Sequence, residues 1–293
     1  MIKRLIILNT EDGCCDMMVG DLIILLRRYN MARYYVKSTI EAWNRREIYY
    51  DNSDYFFILF PHKVEVPFPE NKYWLYFLEQ NLHGNISSWY NTEIVGTLML
   101  HSIRNFDYND HNIKVWHKHI PELKITHLPL PISRSVTHSR HIEKKYDILF
   151  YGCVSNRRRE ILKKLQQTYP NYRYMISKKL LGDRLKTCIQ ESKIALNLHY
   201  YDGDSLLEQA RLHELMRFNT FIISELPGVK QPDLVNNYRC CVDFVDVVEK
   251  DLSNISVLFA MIGHLLKLAE SPSCTYNMEY KQLFAQHYPE ISL

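Results

Sequence analysis

A pair of aspartates in the second half of the chain has the spacing of a metal-binding motif. Asp202 and Asp204 flank Gly203 and directly follow an apolar segment. Two carboxylates in this arrangement can hold the divalent cation that accompanies a nucleoside diphosphate. Asp and Gly are also common turn residues, and turn formation alone accounts for the same three positions. The motif therefore predicts either a metal site or a loop.

A second set of charged residues follows at helical spacing. Glu208, Arg211 and Glu214 lie three residues apart, so on a helix they form one stripe, and Ser205 is a suitable N-cap for a helix over residues 205–218. An exposed stripe of ion pairs stabilises a helix by only about 0.2–0.5 kcal/mol per pair. Spacing alone therefore does not separate a ligand site from a solvated helix face.

A third set lies where a strand passes into a helix. In the stretch YGCVSNRRRE, a predicted strand ends at Gly152 and a predicted helix opens on Arg157, Arg158 and Arg159. The amino end of a helix presents unpaired N–H groups that bind phosphate, and arginines can add bidentate hydrogen bonds. Cations are mildly unfavourable at this end of a helix, which favours an anionic ligand over a merely solvated basic turn.

The bulk composition predicts a soluble globular enzyme or binding protein. The 293 residues are 46% hydrophobic and 24% charged, with a net charge of +3, which is too small to indicate a nucleic-acid partner by itself. The seven cysteines contain no CxxC pair, so we expect reduced thiols in the cytoplasm. No segment approaches the ~20 apolar residues of a membrane span, and we expect neither a metal nor another resident cofactor.

Short apolar runs alternate with longer helical patterns along the whole chain. Strands are predicted at 4–9, 33–38, 54–60, 73–80, 124–133, 146–152, 172–177, 193–200, 220–225 and 238–244. Helices are predicted at 20–30, 109–120, 156–170, 182–192, 205–218, 247–270 and 276–288, while 92–103 fits either structure. Such alternation indicates parallel sheets covered by helices.

The alternation stops at a proline-rich segment and then restarts. The stretch PLP at residues 129–131 suits a linker, because proline fixes φ and removes a hydrogen-bond donor. We therefore predict an α/β protein with two doubly wound Rossmann-like domains facing a cleft. The first domain covers residues 1–131 and the second 132–272, and residues 273–293 form a helix that packs back on the first domain.

The second half of the chain resembles the C-terminal domain of GT-B glycosyltransferases of the group 1 type. The resemblance rests on E-x-x-R-x-x-E followed by T-x-x-I-S over residues 208–224, and on Y-G-x-x-x-x-R-R-x-x-x-L over 151–162. In that superfamily a glutamate matching Glu214 holds the ribose of a sugar nucleotide. An earlier family glutamate falls on Leu206, and Asn219 stands where glycine is usual.

The resemblance implies a donor-binding surface in the second domain. It would bind a nucleoside diphosphate sugar through Gly152, Arg157, Arg158, Arg159, Asp202, Gly203, Asp204, Ser205, Arg211 and Glu214. The arginines and the amino end of the 205–218 helix would neutralise the leaving diphosphate.

The first half of the chain offers candidates for a general base. Glu79 follows a predicted strand, Asp12 follows the first strand, and Asp107 lies in NFDYNDHN, which resembles a segment of related transferases. A carboxylate at the carboxyl end of a strand is placed to accept a proton from an acceptor hydroxyl.

Together these features predict a metal-independent glycosyltransferase active in glycan biosynthesis. Its partners would be a nucleotide sugar and a glycan or glycoprotein acceptor, with no nucleic acid. Two alternatives remain open at this point. One is a metal-dependent GT-A transferase that uses Asp202 and Asp204, and the other is a non-catalytic protein that binds nucleotide sugars or glycans.

Overall fold

A computed structural model describes residues 2–10, 15–90, 93–130, 142–201, 203–239, 241–246 and 255–271. The chain divides into two units, Met1–Pro131 and Ile132–Leu293. Asp12, Asp202 and the helix predicted at 276–288 lie outside the described residues. None of the helices found in the described segments is long and apolar enough to cross a membrane.

The first unit is built on a parallel sheet. Its strands are β1 Ile2–Asn9, β2 Ala32–Thr39, β3 Asp54–Leu59, β4 Tyr73–Phe77, β5 Arg104–Asp107 and β6 Ile125–His127, and its helices are α1 Asp16–Arg28, α2 Ile40–Asn44, α3 Glu93–His101 and α4 Asp110–His119. The strand order is β2-β1-β3-β4-β5-β6. The ambiguous segment 92–103 is therefore a helix, while α2 and β5 were not predicted.

Aromatic side chains fill much of the core of this unit. Trp43 from α2 stacks on Phe68 with ring centroids 3.8 Å apart, and Phe77 packs against Trp116 at 5.2 Å. The strands β3 and β4 are buried over nearly their whole length and β1 over residues 5–9, as expected for a parallel sheet covered on both faces. This burial explains why their continuous apolar runs predicted them correctly.

The second unit repeats the plan with a smaller parallel sheet. Its strands are β7 Tyr146–Tyr151, β8 Tyr174–Ser177, β9 Ser192–Asn197, β10 Phe221–Glu225 and β11 Asp243–Val245, and its helices are α5 Asn156–Thr168, α6 Gly182–Gln190, α7 Gln209–Leu215, α8 Pro232–Tyr238 and α9 Ile255–Ala269. The strand order is β11-β10-β9-β7-β8. In each sheet the second strand lies on one side of the first strand and the third lies on the other side, so the strand order reverses there, as in doubly wound folds.

Two predictions in the second unit were wrong in extent. The strand predicted at 238–244 is only β11, because Pro232 begins α8 and the helix continues to Tyr238. The helix predicted at 205–218 is only the seven residues of α7, and Ser205 does not cap it. The Ser205 hydroxyl instead accepts a hydrogen bond from the N–H of Gly228, at 3.3 Å, which holds residues 203–205 in a loop.

Candidate functional site

The carboxyl edge of the second sheet gathers most of the residues predicted to bind a donor. After β7 the chain passes to β8 on one side of the sheet, and β9 lies on the other side, so the order reverses between β7 and β9. Ligands of open α/β sheets bind outside the carboxyl ends of the strands at this point. The residues that follow β7, β9 and β10 therefore define the candidate site.

Gly152 and Arg211 meet at the carboxyl end of β7. Gly152 has φ of +109°, and a Cβ atom added there would lie 2.9 Å from Nη2 of Arg211. The guanidinium of Arg211 lies 5.5 Å from the ring centroid of Tyr151 and donates to Oδ1 of Asn197, at 3.2 Å. Glycine is required here because only a residue without a side chain leaves space for the guanidinium.

One glutamate is shared between two arginines at this edge. Glu208 accepts from Nη2 of Arg158 at 2.6 Å and from Nη1 of Arg211 at 2.9 Å. Burial opposes ionisation of Glu208, but Arg211 and Arg158 outweigh it and lower its pKa. Burial lowers the pKa of Arg158 to about 10, so it stays charged at neutral pH. The triad of Arg158, Glu208 and Arg211 therefore carries a net charge of +1 beside Gly152.

A second buried ion pair lies behind the triad. Arg157 donates two hydrogen bonds to the carboxylate of Glu225, one of them 2.8 Å long from Nη1, and both side chains are buried. The backbone N–H of His199 donates to the same carboxylate. Arg158 is also anchored, with Nη1 2.8 Å from the carbonyl of Cys153. Two of the three predicted arginines therefore point inward, while Arg159 is exposed and donates to Oδ1 of its neighbour Asn156, at 2.9 Å.

Glu214 lies one helical turn beyond Arg211, as the sequence spacing predicted. Its Oε2 accepts a hydrogen bond from the hydroxyl of Tyr151, at 3.1 Å, and the residue is buried with 8% exposure. Tyr151 was not predicted, although its place at the last position of β7 is where a ligand-contacting residue belongs. The sequence stripe of Glu208, Arg211 and Glu214 is therefore an inward-facing arrangement and not a solvated helix face.

The loop before α7 is packed against the loop after β10. Gly203 has φ of +77°, and a Cβ atom on Gly228 would lie 1.9 Å from the carbonyl oxygen of Gly203. The N–H of Val229 donates to the carbonyl of Ser205, at 3.1 Å. Asp204 belongs to this loop, and in the part of the chain that the structure describes no three His, Cys, Asp or Glu side chains could together hold a metal ion.

Asp107 has a different environment at the end of β5 in the first unit. Its carboxylate is fully buried and accepts from the N–H of Asn109 and from Nδ2 of Asn112, both at 3.0 Å, and from Nε1 of Trp116 at 3.2 Å. Burial raises its pKa to about 8 against the opposing effect of these donors. Asp107 thus ties β5 to α4.

Of the two candidate general bases that the structure describes in the first unit, Glu79 is exposed to solvent and Asp107 is not. It follows β4, its side chain is 33% exposed, and Oε1 lies 3.8 Å from Nε2 of His62. His62 is buried, and burial lowers its pKa to about 4, so it is neutral at physiological pH. His62 was not predicted, and the only sequence feature that points to it is its position three residues after the end of β3. The roles predicted for all of these side chains remain predictions.

Comparisons of the sequence with known proteins give one relative. No family model matches the chain. An uncharacterized protein of Acanthamoeba polyphaga mimivirus is 26% identical over 209 residues, covering 68% of this chain and 70% of that protein.

Solved structures of glycosyltransferases resemble the chain over almost its whole length. The structure of WaaG, a glycosyltransferase involved in lipopolysaccharide biosynthesis, has a TM-score of 0.54 with 9% sequence identity, covering 98% of this chain and 95% of that one. The T4 phage β-glucosyltransferase has a TM-score of 0.49 with 13% identity, covering 99% and 100%. The likeness to WaaG and the topology of the two sheets show a GT-B glycosyltransferase-like fold of two Rossmann-like units, so the predicted α/β class with two doubly wound units is confirmed.

Proposed function

We propose that the protein is a glycosyltransferase that moves a sugar from a nucleoside diphosphate sugar to a hydroxyl of a glycan or glycoconjugate. The observation that carries this proposal is the triad of Arg158, Glu208 and Arg211. It retains one positive charge beside Gly152, at the carboxyl edge where the strand order of the second sheet reverses. A diphosphate is the anion that this class of fold most often binds there.

Arg211 is the group that stabilises the leaving diphosphate in this proposal. Its side chain keeps 14% exposure, while Glu208 and Asn197 fix the guanidinium by hydrogen bonds. A fixed donor aimed at developing negative charge is worth roughly 3–4 kcal/mol of transition-state stabilisation, because it needs no reorganisation during the reaction. Arg157 and Arg158 act behind it, by holding the edge in shape.

Glu214 binds the ribose of the donor in this proposal, as the resemblance of its segment to GT-B enzymes implies. Carboxylate oxygens are strong acceptors for two neighbouring hydroxyls, and the hydroxyl of Tyr151 fixes the orientation of this carboxylate. Tyr151 is therefore a positioning residue.

Glu79 is the general base that we favour on the acceptor side. It combines partial exposure with a position after a strand, whereas the buried Asp107 carboxylate is occupied by three donors. Deprotonation of the acceptor hydroxyl by Glu79 would suit an inverting reaction. His62 beside it contributes no charge at neutral pH.

The proposed reaction needs no metal or other resident cofactor, because Arg211 supplies the charge that a cation would otherwise supply. The alternative, a metal-dependent GT-A enzyme using Asp202 and Asp204, conflicts with the two-sheet fold. Asp204 lies in a loop whose backbone is held by Gly228 and Val229. EDTA should therefore leave donor binding intact, and an EDTA-sensitive activity would favour the aspartates.

The first experiment is a thermal-shift measurement with UDP, GDP, CDP and TDP and with their hexose conjugates. A ligand at ~100 times its dissociation constant adds about 2.7 kcal/mol to stability. We expect one nucleotide to raise the melting temperature and Glu214→Gln to weaken its binding roughly 10- to 100-fold. Glu41→Gln, the same change at an exposed position of α2, should leave its binding unchanged. Equal affinity for the wild type and Glu214→Gln would contradict the ribose assignment.

Turnover separates an enzyme from a binding protein. Release of the nucleoside diphosphate from the donor that shifts the melting temperature, measured with and without added glycans, should be faster than the buffer control. Binding without any release, including slow hydrolysis, would instead support the non-catalytic alternative.

A further inference from the structure

Two exposed tyrosines lie beside the candidate site and have no part in the function described so far. Tyr200 and Tyr201 follow β9 at its carboxyl end and are 42% and 40% exposed. Their rings contact each other edge to face, with centroids 4.9 Å apart. Two neighbouring tyrosines offer a ligand a large apolar contact area together with hydroxyl groups for hydrogen bonds.

The site itself fixes the position of Tyr200. The guanidinium of Arg158 lies 5.3 Å from the ring centroid of Tyr200, and the backbone N–H of Tyr200 donates to the carboxylate of Glu208. Arg158 is in turn held by the carbonyls of Cys153 and Leu198. The ring is therefore attached to the same charged triad that we propose for the diphosphate. An aromatic ring held in advance loses little freedom when it binds a ligand.

The contacts also give the order of the groups along the edge. Glu214 contacts Tyr151, Tyr151 lies against Arg211, and Arg211 shares Glu208 with Arg158. The ring of Tyr200 lies next to Arg158, which is the last group of this series counted from Glu214. A nucleoside diphosphate sugar has the same order, with ribose first, diphosphate second and sugar last.

We propose that Tyr200 and Tyr201 form the contact surface for the transferred sugar. This inference rests on the proposed function, because the order is set by ribose at Glu214. The class of group it implies is an uncharged pyranose, whose C–H faces pack on an aromatic ring while its hydroxyls meet the phenol groups. The nucleobase is attached on the ribose side of the diphosphate, so it would lie away from this pair.

The test compares binding of each free nucleoside diphosphate with binding of its sugar conjugate, using UDP against UDP-glucose and GDP against GDP-mannose by calorimetry. For the pair that binds the wild type, Tyr201→Ala should weaken the conjugate roughly tenfold and leave the free nucleotide unchanged. Tyr200→Ala should have the same effect on the two ligands. If Tyr200→Ala disturbs folding, because Arg158 loses the ring beside it, Tyr201→Ala still tests the inference. Tyr49→Ala removes an 85%-exposed tyrosine of the first unit and serves as the matched control.

Three outcomes would overturn the inference in different ways. Unchanged affinities for both the conjugate and the free nucleotide in the two tyrosine variants would show that the pair does not touch the sugar, while the proposed function stands. Equal weakening of both ligands would show that the pair acts on the nucleotide or on the fold. If no ligand of the thermal-shift panel binds the wild type, the proposed function fails first and the inference falls with it.

Discussion

The carboxyl edges of the two sheets are built from opposite kinds of side chain. The edge of the second sheet holds buried ion pairs, in which Arg157 faces Glu225 and Arg158 faces Glu208. At the edge of the first sheet, the fully buried Asp107 is surrounded by the neutral partners Asn112 and Trp116. The same strand topology thus buries paired charges at one edge and a largely neutral carboxyl at the other.

The difference indicates how each edge must be held. Buried charges cost several kcal/mol each unless they are paired, so the second edge is rigid only as a complete network. The first edge avoids that cost, because burial raises the pKa of Asp107 and lowers that of His62, which leaves both groups largely uncharged near neutral pH. Removing one charged residue should therefore harm the second edge far more than the first.

The largest effect is expected from Glu225→Ala. The substitution leaves Arg157 buried with its charge uncompensated, which costs roughly 3–5 kcal/mol and should lower the melting temperature by on the order of 10 °C. Differential scanning calorimetry measures this directly. Glu41→Ala, which removes the exposed pair between Glu41 and Arg45, should change stability by less than about 0.5 kcal/mol. Similar losses in the two variants would contradict the distinction between buried and exposed pairs.

A smaller effect is expected from Gly152→Ala. Its φ of +109° is unfavourable for alanine, and the new methyl group would lie 2.9 Å from Nη2 of Arg211. We expect a loss of about 1–3 kcal/mol in stability together with weaker donor binding, because Arg211 must move. Gly20→Ala in α1 is the control, since nothing lies within 4 Å of the added methyl group. That variant should be neutral or slightly more stable.

Much of this contrast could not be predicted from the sequence. The apolar runs of β1, β3 and β7 predicted the sheets, because strands buried on both faces are apolar throughout. The extent of α7 was predicted wrongly, since the contact of Ser205 with Gly228 joins residues 23 positions apart. Local patterns carry no information on such a contact.

The same limit applies to the site. The spacing of Glu208, Arg211 and Glu214 placed them on one stripe, but the burial of that stripe depends on Arg158 and Tyr151 from another element. The sequence predicted Arg157 and Arg158 at the basic first turn of a helix. Their pairing with Glu225 and Glu208 is seen only in the fold. Long-range pairing between charged residues therefore decides the local electrostatics, and it was the part that sequence spacing could not supply.

The effect expected from Asp107→Asn at pH 5 is the smallest, and this substitution tests the neutral edge. Folding raises the pKa of this carboxyl from 3.8 to about 8, so between those pH values the unfolded chain is ionised and the folded chain is protonated. The contribution of Asp107 to stability is therefore complete below about pH 4 and is lost as the pH rises through 8. The amide cannot ionise and should remove this dependence, at a cost of about 1 kcal/mol at pH 5 from a lost hydrogen bond.

Melting temperatures of the wild type and of Asp107→Asn across pH 5 to 8 measure the difference in slope. The lower stability of Asp107→Asn at pH 5 should shrink to zero and then reverse in sign as the pH rises, because only the wild type is destabilised by ionisation of this carboxyl in the unfolded chain. Asp233→Asn replaces an exposed aspartate of the second unit and should leave the slope unchanged. A constant gap between pH 5 and 8 would mean that the donors from Asn109, Asn112 and Trp116 keep Asp107 ionised, and the first edge would then hold a buried charge as the second edge does.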